Sequence, residues 1–112
     1  MKRKKKLTIS EILKKARKLV EKGWTQGAYA KDGNGRILFF DDKKAVKFCP
    51  LGAIGRVTGS LYNAEAVGAR YAVIDSIEGG MLGFDIASWN DDKKRTKRQV
   101  LAAFDRAIKA VK

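Results

Sequence analysis

Residues 27–40 read Gly27-Ala-Tyr-Ala-Lys-Asp-Gly-Asn-Gly-Arg-Ile-Leu-Phe-Phe40, and they decide between an all-helical chain and a mixed one. Asp32-Gly33-Asn34-Gly35 gathers residues that tolerate positive φ or close a turn with a short polar side chain. Gly27–Lys31 and Arg36–Phe40, on either side, are therefore predicted to pair as a β-hairpin.

The residues outward from this hairpin carry helical periodicity. On the N-terminal side, Thr8 and Glu11 have the spacing of a capping box, with Leu7 and Ile12 in the staple positions. Ile9, Ile12, Leu13, Ala16, Leu19 and Val20 recur at helical intervals until Gly23 stops the run. On the C-terminal side, Asp41 or Asp42 can cap a second helix through about Val57. Its Ala45, Val46, Phe48, Cys49, Leu51, Ala53 and Ile54 predict burial, and Pro50 must either kink it or begin a fresh turn. Asn63 can cap a third helix over about Ala64–Glu78, ended by Gly79-Gly80. A loop or short extended piece, Met81–Asp92, leads to a second capping box, Thr96 and Gln99, and a last amphipathic helix through about Val111.

The fold class expected is thus α+β and helix-dominated, with four helices and one β-hairpin in a single domain. Helices two and three should form the buried centre, with helices one and four over it. A chain of 112 residues suits one core, which at this size hides roughly 65% of the unfolded surface. The domain is expected over residues 7–112, preceded by a disordered basic arm at 1–6. No apolar run is long enough to span a bilayer, and Met1–Lys6 lacks the apolar stretch of a signal peptide, so a cytoplasmic protein is expected.

Composition closes several chemical routes. Histidine is absent and Cys49 is the one cysteine, so no Ser-His-Asp or Cys-His catalysis, internal disulfide or Cys/His zinc site can be assembled within the chain. No Asp/Glu run has the spacing of a calcium loop, and neither a metal nor a cofactor is expected.

The formal net charge of +13 is unevenly distributed. Residues 1–47 carry +10, residues 48–92 carry −4 and residues 93–112 carry +7. Solubility needs a net charge of only about 2–8 in magnitude, and the surplus points to a polyanionic partner. The residues placed at such an interface are Lys2, Arg3, Lys4, Lys5 and Lys6 of the arm, Lys14, Lys18 and Lys22 of helix one, and Lys93, Lys94, Lys97 and Arg98 around the start of the last helix. No zinc finger, basic zipper or aromatic RNA-binding sheet accompanies them, so contact should be with phosphates and weak in sequence preference.

Three segments gather polar and aromatic residues: Gly23-Trp-Thr-Gln-Gly27, Cys49-Pro-Leu-Gly-Ala53, and Trp89-Asn-Asp91 with Arg95-Thr96. A Gly-Trp-x-Gln-Gly-x-x-Ala-x-Asp segment, a central Cys-x-x-Gly-Ala and a late Asn-Asp followed by Arg-Thr occur here in order, as Gly23–Asp32, Cys49–Ala53 and Asn90–Thr96. In these the chain resembles small phage and bacterial proteins of a family of unknown function, domain of unknown function 6197. The resemblance spans about residues 9–111. It implies a bacterial or phage origin and brings no established activity; the arm at 2–6 and Pro50 depart from the pattern.

Trp24, Gln26, Cys49, Trp89, Asn90, Asp91 and Arg95 are the residues that could form a pocket, and each has a structural reading beside the functional one. Cys49 lacks a histidine base and has apolar neighbours, the setting of an inert core thiol. Gln26 and Asn90 have the amides of an oxyanion site but more readily satisfy loop backbone groups. Trp24 and Trp89 could stack on a base, or lie in the core or its rim. Asp91, Asp92 and Arg95 read first as a turn-and-cap network leading into the Thr96 helix. Gly52 and Gly55 lack a phosphate loop's strand and are assigned to close helix packing. If helices one and four lie side by side, the Gln26 and Asn90-Asp91 segments should meet.

Three functions are compatible with this reading. The first is an accessory protein that binds nucleic acid non-specifically. The second is a protein-binding module, such as an inhibitor of an acidic host enzyme. The third, ranked last, is an enzyme or small-ligand binder using the Trp24, Gln26, Asn90, Asp91 and Arg95 cluster.

Overall fold

The Thr8 hydroxyl accepts the Glu11 amide while the Glu11 carboxylate accepts that of Thr8, so the first helix begins where the capping box places it. The computed structural model describes residues 6–77 and 86–111. Five helices and three strands follow in order among them: α1 Ile9–Lys22, β1 Ala30–Lys31, β2 Ile37–Leu38, β3 Lys47–Phe48, α2 Pro50–Thr58, α3 Ala64–Ser76, α4 Ile86–Asn90 and α5 Lys97–Ala110. The architecture is helix-dominated α+β in one compact unit. The basic arm up to residue 5, the Gly79-Gly80 helix stop and the Met81–Asp85 part of the expected extended piece lie outside the described residues.

The hairpin forms as β1 and β2, antiparallel, with Ala30 opposite Leu38. Its loop is held by Asp32, whose Oδ1 accepts the amides of both Asn34 and Arg36. These amides, Arg36 first, hold the Asp32 carboxyl below its usual range against the opposing effect of desolvation. Of the four turn residues, Gly35 alone takes the left-handed conformation, at φ +85°.

The second helix departs from expectation. Residues 41–48 are a turn and a strand, and α2 begins only at Pro50. The Asp42 carboxylate accepts from the Lys44 amide in a local turn instead of capping a helix. Lys47–Phe48 becomes β3, antiparallel to β1 on its other side, which gives the order β2-β1-β3. The physical reason is Pro50. A residue before proline is pushed out of the helical region, and Cys49 is extended at φ −81°, ψ 167°. Proline at the first helical position then costs nothing, because its missing N–H would have been an orphan. Val46, expected on a buried helix, is accordingly exposed.

The centre of the core also differs. Ile12, Leu13, Ala16 and Val20 of α1 are fully buried, and α1 packs on α2, α3 and α5 together, so it is the hub and not a cover. Helix α2 is buried over Pro50–Gly55 as expected. A Cβ at Gly52 would overlap the Tyr29 carbonyl, and one at Gly55 would press on the Phe40 ring, so both glycines serve close packing against the hairpin. Helix α3 is buried along Ala66, Ala69 and Val73, while Tyr71 faces solvent. The expected loop before the last helix contains α4, one turn that buries Ile86, Trp89 and Asn90. Thr96 and Gln99 close the capping box of α5, which buries Val100, Ala103, Phe104 and Ala107.

Candidate functional site

Three features decide what the polar residues can do: a buried clasp, an aromatic cavity beside it and a basic groove along α1.

The clasp joins the segment after α1 to the segment between α4 and α5. Asn90 is fully buried, and a buried amide left unpaired would cost about 1–3 kcal/mol. Its Oδ1 accepts from Trp24 Nε1 at 2.7 Å, and its Nδ2 donates to the Thr25 carbonyl at 3.1 Å. Gln26 Nε2 donates to the carbonyls of Asn90 at 2.7 Å and Asp92 at 2.9 Å, and the Gly27 amide donates to Asp91 Oδ1 at 2.9 Å. Trp24 also bridges to Phe48 of β3. The segments expected to meet therefore do meet, and their amides hold loop backbone.

Arg95 belongs to the same framework. Its guanidinium lies 4.1 Å from the Trp89 ring centroid, its Nε donates to the Trp89 carbonyl, and Nη1 reaches the Gln99 amide oxygen at 3.5 Å. Asp92 accepts from the Lys94 amide. This is the turn-and-cap arrangement, with the Trp89 ring buried beneath Arg95.

Cys49 caps α2, its sulfur accepting the Gly52 amide at 3.3 Å. Burial pushes the thiol up to about 11, with a smaller rise from Asp91 outweighed in part by backbone amides near the sulfur. The thiolate that nucleophilic chemistry requires is thus disfavoured at neutral pH. Among the described residues no three His, Cys, Asp or Glu side chains gather as metal ligands.

Of the seven residues expected to form a pocket, Cys49 and Asp91 lie on the wall of the aromatic cavity; Trp24, Gln26, Trp89, Asn90 and Arg95 are clasp and cap. That cavity, about 490 Å³, is lined on its other sides by Tyr29, Ile37, Leu38 and Phe39 of the hairpin and by Ala87. Sequence reasoning misses the hairpin aromatics because their outward faces depend on how the hairpin sits on α2, which no local pattern records.

The groove, about 910 Å³, runs between α1 and the end of α2. Lys6, Lys15, Lys18, Lys22 and Arg56 line it, with Leu7, Ile12, Leu19 and Val57 beneath. Its one carboxylate among the described lining residues is Glu65, paired with Lys6 Nζ at 3.2 Å. The Glu65 carboxyl is held below its ordinary range, first by its own backbone amide and then by Lys6. Arg56 is anchored by bonds from Nη1 to the carbonyls of Phe40 and Asp42.

Of the cations expected at an interface, Lys6, Lys18 and Lys22 line this groove. Lys6, assigned to a free arm, is instead tied to Glu65 on α3. Lys14 is exposed but off the groove, as are Lys93, Lys94 and Arg98 around the start of α5, and Lys97 there is half-buried and also off it. Lys2, Arg3, Lys4 and Lys5 lie outside the described residues. Lys15 and Arg56 join the set only from the structure. Lys15 is legible in principle, since 15, 18 and 22 share a helical face, whereas Arg56 faces α1 only through tertiary packing.

A family model of unknown function, DUF6197, matches residues 4–110. The chain belongs to the DUF6197 family. No curated protein and no solved structure matches it. The motifs that carry the resemblance to DUF6197 are the clasp and the α2 cap. Among the described residues no helix is long and apolar enough to cross a membrane.

Proposed function

We propose that this DUF6197 protein binds nucleic acid with little sequence preference, seating phosphates along the groove between α1 and the end of α2. The observation that supports this reading is the clustering of Lys15, Lys18, Lys22 and Arg56 on one groove whose one carboxylate among the described residues is already paired. Among the described residues these three lysines make no ion pair. Such cations are available to a phosphate backbone, and their aliphatic stems lie over Leu19 and Ile12. The exposed Lys14, Lys93, Lys94 and Arg98, with the basic arm, extend the field and favour rapid encounter. The setting of this activity is the cytoplasm of a bacterial or phage-infected cell.

The test is a salt series with a labelled duplex and a labelled single strand. Each phosphate neutralised by a lysine or arginine releases condensed counterions, so log affinity should fall linearly with log salt, by about 0.9 per phosphate on duplex DNA. Absence of any complex at about 50 mM salt and micromolar protein overturns the reading. A second reading, a module for an acidic protein partner, is favoured by Tyr62 and Tyr71, which lie 79% and 62% exposed. A discrete complex that survives charge reversal of the groove but not removal of these rings would select it.

A further inference from the structure

The aromatic cavity between the hairpin and the clasp has a composition unlike the groove. Ile37 and Phe39 are 67% and 55% exposed, although apolar side chains of this size are normally covered. The Phe39 ring is braced from behind by Phe40, with centroids 4.2 Å apart, and meets Tyr29 edge-on at 6.4 Å. A rigid aromatic surface thus flanks a cavity of about 490 Å³, within the range of roughly 300–1,000 Å³ typical of small-molecule sites.

Asp91 faces this surface from the clasp side. Its two hydrogen bonds, from the Gly27 amide and from Asn90 Nδ2, both fall on Oδ1. The carboxylate is therefore fixed in orientation, and its Oδ2 makes no protein hydrogen bond among the described residues.

A ligand matching this arrangement has a flat face for Phe39 and Tyr29 and an N–H edge for a carboxylate. We propose that the cavity takes a guanine base, either that of a free nucleotide or an unpaired guanine in a strand. Guanine presents two adjacent donors, N1–H and the N2 amino group, which can both reach the two open lone pairs of Asp91 Oδ2. Uracil offers a single N–H between two carbonyls that a carboxylate repels, and adenine sets an acceptor beside its amino group. In its strand form the inference rests on the nucleic-acid reading above; in its nucleotide form it does not, and the experiment separates them.

The full chain, labelled with ¹⁵N, is titrated with GMP, AMP, CMP and UMP at fixed ionic strength. GMP should perturb the amides of Gly27–Tyr29, Ile37–Phe39 and Asp91, and bind at least about fivefold more tightly than UMP, the lower end of discrimination by a paired donor contact. Phe39→Ala, at an exposed position, should weaken GMP binding several-fold. Asp91→Asn keeps an oxygen for the Gly27 amide and should abolish the guanine preference without unfolding the chain. Equal response to all four nucleotides, shifts confined to lysine-bearing segments, or no shift at millimolar GMP overturns the inference. If GMP binds and no strand does, the ligand is the free nucleotide and the groove reading fails alone. If strands bind and neither Phe39→Ala nor mononucleotides have an effect, the guanine site fails alone.

Discussion

The Trp24–Asn90 clasp and the α1–α2 groove are both polar, yet they use their polar atoms in opposite ways. In the clasp, Asn90 and Gln26 turn their amide groups onto indole and loop backbone at 2.7–3.1 Å, out of reach of a ligand. In the groove, Lys15, Lys18 and Lys22 end in solvent with only apolar stems packed. Hydrogen-bond saturation therefore separates residues that hold the fold from residues that can hold a partner. Residue type alone does not, because the amides that suggest an oxyanion site are the saturated ones.

The contrast breaks most readily at Asn90. Asn90→Ala strands the Trp24 indole N–H and the Thr25 carbonyl and leaves a hole in a fully buried site. Urea unfolding should show a loss of about 2–4 kcal/mol. A change under about 0.5 kcal/mol would mean that the clasp is not structural.

A somewhat smaller effect should appear with pH. The folded state raises the Cys49 thiol from 9.0 to about 11, so between those values the unfolded chain has lost a proton that the folded chain keeps. The contribution is fully present below pH 9 and is lost as pH rises through about 11, to the extent of about 2–3 kcal/mol at 1.36 kcal/mol per unit. Comparing Cys49→Ala with the unchanged chain across that window isolates the contribution of the thiol. Parallel stability curves would contradict the burial argument.

Arg17 sharpens the comparison from the surface side. It is bound to Asp105 at 2.6 Å and lies 3.6 Å from Glu21, but the carboxylates are largely exposed. Arg17→Ala should lower stability by less than about 1 kcal/mol in thermal unfolding, and less still in high salt. A larger loss would show that a surface ion pair, and not only the clasp, fastens α5 to α1.

The local signals of the fold are legible in the sequence, and its long-range geometry is not. Thr8 with Glu11, and Thr96 with Gln99, mark their helix starts because a capping box is a contact across three residues. The hairpin is legible for the same reason. The start of α2 is ambiguous because Ala45, Val46, Phe48 and Cys49 fit a helix as well as a strand, and only the effect of Pro50 on Cys49 tips the choice toward the strand. Helix α4 is a single turn and too short to display a period. At the site, the meeting of Gln26 with Asn90 follows from the side-by-side packing of two helices. Which of those side chains remains open depends on hydrogen bonds spanning more than sixty residues, and Arg56 reaches the groove only through the packing of α2 on α1.

A small stability change and the largest change in binding should coincide in one variant. Lys15→Glu, Lys18→Glu and Lys22→Glu together alter three exposed side chains and should move the unfolding free energy by no more than about 1.5 kcal/mol. The direct test is the affinity of this triple variant for a labelled 20-mer across a salt series, beside that of the unaltered chain. The account predicts that binding weakens at every salt concentration and that the duplex salt slope becomes shallower by about 0.9 for each phosphate no longer neutralised. An unchanged affinity and slope in a folded triple variant would contradict it and remove the groove as the seat of the phosphates.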